Sequence, residues 1–179
     1  MALWAGAAVL LLLPLVAMQF TDEVDWDEAD FLVFGAMLVS ACGGLERAAR
    51  MTSSIAYRAA MGVALAAAFI LVWMNLAVGI IGSEDNPANL MFGAVLAVGI
   101  IGAAMARLRP RGMARALLAT ALAQSSVTVI ALIAGLGSTG PGWPGGILSL
   151  TGFFTALWVG SALLFRKAAR EQLPAAASP

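Results

Sequence analysis

The 179-residue chain contains no histidine, one cysteine and one tyrosine, and only 11% of its residues are charged. Without histidine it lacks the commonest metal and haem ligand and the usual proton relay near neutral pH. A single thiol, Cys42, excludes an internal disulfide and a CxxC site. With no cationic group beside it, Cys42 is expected to pack between helices rather than react. The sequence holds no zinc motif, Walker loop or GxGxxG fingerprint, and no serine–lysine pair at a recognisable spacing. Hydrolysis, redox chemistry and ATP-driven work are therefore disfavoured. Neither a cofactor, a metal nor a nucleic-acid partner is expected.

What the chain does have is apolar surface: 61% of its residues are hydrophobic, and the mean hydropathy is +0.93. Such a composition suits contact with lipid, and a helix needs about 20 apolar residues to cross ~30 Å of hydrocarbon. Six segments of this kind fit, at residues 3–19, 26–50, 58–82, 88–107, 113–136 and 147–166. The expected fold is an all-α polytopic membrane bundle with six transmembrane helices. One transmembrane domain covers residues 1–171, and a disordered tail occupies 172–179. The first span is short and carries Pro14 as an expected kink. A cleaved signal peptide is its rival reading, opposed by the absence of Lys or Arg in the first residues and by a poor cleavage site.

Residues 76–82, Leu-Ala-Val-Gly-Ile-Ile-Gly, recur letter for letter at 96–102. The copies are read either as a coincidence of a Gly/Ala/Ile/Val vocabulary or as a duplicated packing face. Between them lies a polar hairpin with Glu84, Asp85, Asn86, Pro87 and Asn89, in which Pro87 is expected to stop the arriving helix. Ala60, Ala64 and Ala68 form a smooth stripe on the third span, and Gly102 with Ala106 has small-xxx-small spacing on the fourth.

Charge gives the orientation. In the six-span division all ten basic residues fall on one side, and all the acids except Glu46 and Glu171 fall on the other. Positive-inside bias makes the basic side cytoplasmic, with both ends of the described topology inside. The inner basic turn carries Arg107, Arg109, Arg111 and Arg115. It is expected to set topology, with anionic headgroups or an acidic loop of a partner as possible ligands. Glu46 and Arg50 are spaced to pair.

Two constellations are candidate sites. Asp22, Glu23, Asp25, Asp27, Glu28 and Asp30, with Glu84 and Asp85, form an outer acidic cluster: helix capping, a partner dock, a cation-attracting mouth or a calcium site. The spacing Asp25–Glu28 suits a capping box. Asn75, Gln124, Ser125, Ser126 and Thr128 are polar residues inside spans, read as interhelical glue or as a solute path. No Asp, Glu, Lys or Arg lies mid-span, which opposes proton coupling. Trp4, Trp73 and Trp158 are expected to pack or face lipid.

The runs Phe20-Thr21-Asp22-Glu23-Val24-Asp25-Trp26, the hairpin 82–90 and Arg109-Pro110-Arg111-Gly112-Met113-Ala114-Arg115 resemble a group of small bacterial multi-pass inner-membrane proteins without an assigned function. The resemblance implies a bacterial membrane setting and a shared fold, and it brings no catalytic residues. The leading expectation is a non-enzymatic accessory subunit that contacts lipid and another membrane protein or a second copy of itself. The alternative is a small-solute or cation permeation protein, with a membrane enzyme third.

Overall fold

The computed structural model describes residues 2–140 and 142–172. Pro141 and, apart from Gln172, the expected tail lie outside the described residues. Among the described residues every regular element is helical. The helices are α1 (Ala2–Ala17), α2 (Glu28–Met51), α3 (Ile55–Ala77), α4 (Met91–Ala106), α5 (Pro110–Ile133) and α6 (Gly145–Glu171), with a 3₁₀ turn, Pro87–Leu90, leading into α4. Five segments among the described residues are long and apolar enough to cross a membrane: α2, α3, Pro87–Ala106, α5 and α6. At roughly 1.5 Å per residue, α1 reaches only ~24 Å.

The chain divides into two compact units, Met1–Met51 and Thr52–Pro179. The first is an antiparallel hairpin of α1 and α2. Leu11 rests against Gly35, and the Trp4 indole N–H donates to Glu46 at 3.0 Å. Glu46 also pairs with Arg50 one turn on, as the spacing predicts. Cys42 is buried, with its sulfur 4.0 Å from the Leu3 carbonyl. The start of α2 corrects one expectation, because the capping box lies on Asp27 and Asp30, not on Asp25 and Glu28. Asp27 Oδ1 accepts from the backbone N–H of Ala29 at 2.8 Å and of Asp30 at 3.0 Å, and Asp30 Oδ2 accepts from the N–H of Asp27 at 3.1 Å. Trp26 then precedes the cap and meets Phe31, ring centroids 5.3 Å apart. This is the hydrophobic staple that fixes the entry of the chain into a helix.

In the second unit, spatial order departs from chain order. α5 packs between α4 and α6, and α6 packs between α5 and α3, whereas the consecutive α3 and α4 barely touch. The α4–α5 contact is close because both faces are small. A Cβ built at Gly102 would lie 2.7 Å from the Ala116 Cβ, and one at Gly112 would lie 2.6 Å from the Ala106 Cβ. The Gly102/Ala106 spacing is thus a packing face, as expected. On α3 the buried stripe is Ala60, Ala64, Ala67 and Leu71, with Ala68 only half-buried. Steps of three and four hold a face at 3.6 residues per turn, whereas steps of four alone drift off it.

The span ends differ from expectation most at α3, which stops at Ala77 rather than continuing to Gly82. Its 23 residues already reach ~34 Å, enough for the hydrocarbon. Gly79 and Gly82 then take φ of 71° and 79°, the left-handed region where glycine carries no Cβ penalty. Pro87 therefore does not stop the arriving helix. It opens the returning turn, with Asn86 as cap accepting from the Ala88 N–H at 3.0 Å. The same preset φ explains why α5 begins at Pro110, three residues before the expected Met113. Beyond its C-terminus, Gly135 has φ 65°.

Candidate functional site

The span polars do not gather at one point. They divide into a clamp under the hairpin, a hydroxyl seam and a set of buried polar atoms without partners. The clamp is Asn89, a buried residue of the 3₁₀ turn that leads into α4. Its side-chain carbonyl accepts from the backbone N–H of Ile80 at 3.1 Å and of Ile81 at 2.9 Å, and its amide donates to the Ser83 carbonyl at 2.6 Å. Asn75 in turn donates to the backbone carbonyl of Asn89 at 3.3 Å. One side chain thus satisfies three backbone groups that an unwound segment would otherwise leave without partners. Ile80 and Ile81 are held inward and are buried. The adjoining loop closes on this segment: a Cβ at Gly137 would lie 2.8 Å from the Gly82 nitrogen, so only glycines permit the approach. Sequence reasoning assigned Asn89 to the hairpin but missed its clamp role, because the partners are backbone groups.

The seam runs along α5. Thr128 hydrogen-bonds Thr151 on α6, and Ser125 lies 3.4 Å from the Thr155 hydroxyl. Thr151, Thr155 and Ser161 escaped the sequence reading, since hydroxyls in an apolar helix look alike until the register is known. Ser161 donates to the Ala60 carbonyl on α3 at 2.7 Å. Ser126 is exposed and bonds back to the Leu122 carbonyl at 2.9 Å, apart from the seam.

The third group comprises buried polar atoms without hydrogen-bond partners, on Gln124 of α5, Trp158 of α6 and Asn75 of α3. Gln124 lies one turn beyond Thr120, which abuts Gly99 on α4, and one turn before Thr128, which bonds α6. It therefore points into the wedge between its two neighbours. It is fully buried, and neither Nε2 nor Oε1 has a hydrogen-bond partner. The Trp158 indole nitrogen and Asn75 Oδ1 are buried without partners as well. Thr128–Thr151 and Ser125–Thr155 set an antiparallel register that puts Gln124 opposite residues 155–156.

The acidic residues are exposed and fall in both units: Asp22, Glu23, Asp25, Asp27, Glu28 and Asp30 in the first, Glu84 and Asp85 in the second. Among the described residues no group of three His, Cys, Asp or Glu side chains is placed to hold a metal ion. At the far end of the second unit, Arg107, Arg109, Arg111 and Arg115 are all exposed. No protein-family model, curated protein or solved structure matches the chain.

Proposed function

We propose that this chain is a non-enzymatic accessory subunit of a bacterial inner membrane, crossing the bilayer six times with both ends inside. The observation that carries the reading is where the span hydroxyls go. Thr128, Ser125 and Ser161 are each engaged by a neighbouring helix of the same unit, which supports glue rather than a solute path. Chemistry-bearing side chains are scarce, and surface for other helices is plentiful. α1 buries none of its residues, and Gly43 on α2 has open space where a Cβ would go. A further span can approach such a face closely. The six-crossing count treats α1 and the hydrogen-bonded turn at Met18–Thr21 as one apolar rod. The orientation follows from the basic α4–α5 turn through the positive-inside bias.

A second reading, permeation of a small solute or a cation, is favoured by one observation: the fully buried amide of Gln124 has no hydrogen-bond partner. Purification in a gentle detergent followed by mass spectrometry separates the two. Stoichiometric foreign membrane subunits are expected. A protein that runs alone, and whose liposome flux disappears in Gln124→Leu, overturns the accessory role.

A further inference from the structure

The α4–α5 turn combines two costly features. Arg107 and Leu108 both have positive φ, at 49° and 58°. For side chains other than glycine this region carries strain, and two in succession persist only where the surroundings hold them. Here the hold is visible. The N–H of Leu108 donates to the Ala103 carbonyl at 3.3 Å, and the Tyr57 hydroxyl, reaching across from α3, donates to the Leu108 carbonyl at 2.8 Å. The second feature is charge. Arg107 and Arg109 sit in the turn, Arg111 and Arg115 follow in the first two turns of α5, and no carboxylate among the described residues is ion-paired to any of them. A relaxed turn with glycine would connect the helices at lower cost, and fewer arginines would suffice to orient them.

We propose that this turn is a preorganised binding site for the phosphate headgroup of an anionic phospholipid. Planar guanidinium groups bind phosphate oxygens through paired N–H donors. The turn joins two segments long and apolar enough to span a membrane, and a bilayer crossed by both puts its arginines at headgroup depth. Below them on α4, Met105 is 80% exposed and Ile101 58% exposed, an apolar track for the acyl chain. That continuity favours a lipid over an acidic peptide, which has no use for the track. The inference needs α4 and α5 to cross a bilayer and is independent of the accessory role.

The test is native mass spectrometry of the full chain released from nanodiscs of equal phosphatidylglycerol and phosphatidylcholine. Enrichment of bound phosphatidylglycerol by about threefold or more is expected. It should be lost when Arg107, Arg109 and Arg111 are replaced together by Gln, and kept when Arg166, Lys167 and Arg170 are so replaced. Equal binding of the two lipids by the wild type, retained enrichment in the turn variant, or an equal loss in the α6 variant overturns the proposal. If the turn variant fails to insert, Tyr57→Phe keeps every charge and removes the bond that holds the turn. Reduced enrichment supports the proposal, and unchanged enrichment overturns it.

Discussion

Ser161 donates its hydroxyl to the main-chain carbonyl of Ala60, 101 residues earlier, at 2.7 Å. Ser161 and Ala60 are both fully buried, and the bond ties α6 to α3 where alanines let the backbones approach. Ser161→Ala should lower stability by about 0.5–1.5 kcal/mol, read from reversible unfolding in mixed micelles. A loss below ~0.3 kcal/mol would mean that the alanine face alone sustains the contact.

Asn89→Ala removes the acceptor for Ile80 and Ile81 and the donor to Ser83 together. Each buried backbone group left unpaired costs about 1–3 kcal/mol, although water reaching a loop recovers part of this. The expected result is faster hydrogen exchange at the Ile80 and Ile81 amides, with α5 amides little changed. Unaltered exchange at those two sites would disprove the clamp.

Equivalent glycines of the repeated heptad should respond differently. At Gly79 a Cβ would meet the Ser83 backbone at 2.3 Å, on a residue with φ 71°, whereas at Gly99 it meets the Thr120 side chain, with the hydroxyl nearest at 3.2 Å. Gly79→Ala should therefore destabilise by about 2 kcal/mol or more, and Gly99→Ala by less than ~1 kcal/mol. Parallel thermal melts decide the order, and a larger loss at Gly99 would contradict it.

Gln124→Leu replaces a buried amide lacking partners by an apolar side chain of similar size. Stability should rise by about 1–3 kcal/mol. A fall in melting temperature would show instead that the amide is satisfied in the working protein, strengthening the permeation reading.

At the start of α2, Asp27→Ala should cost about 1 kcal/mol of helix stability through loss of the cap, and Asp25→Ala almost nothing. Circular dichroism of the two variants during denaturation provides the comparison.

The helices are legible in the sequence because apolar length is a coarse property that tolerates an error of a turn at either end. The capping box is not. Asp25–Glu28 and Asp27–Asp30 share the same spacing, and the hydrogen bonds fall on the second, where Trp26 also meets Phe31. The heptad is less legible still. Its first copy is unwound from Val78 onward, and its second lies wholly within α4. Gly79 and Gly82 supply left-handed turns, whereas Gly99 and Gly102 supply room for α5. The duplicated packing face is therefore excluded: identical letters serve opposite ends because Asn89 waits beside one copy and Thr120 and Ala116 beside the other. The polar residues of α5 stood out as a cluster, but the split into seam, exposed Ser126 and central Gln124 depends on register with α6, which one helix alone does not contain.

The detachment of α3 from α4 has a consequence for biosynthesis. The partner of α3's alanine face emerges about 100 residues after the face itself, which at roughly 5–20 residues per second leaves it bare for on the order of 5–20 s. During that interval the alanine face of α3 is open to other helices. The hairpin loop, closed locally by Asn89, can mature before release from the ribosome. The α3–α6 seam has to wait for the last helix.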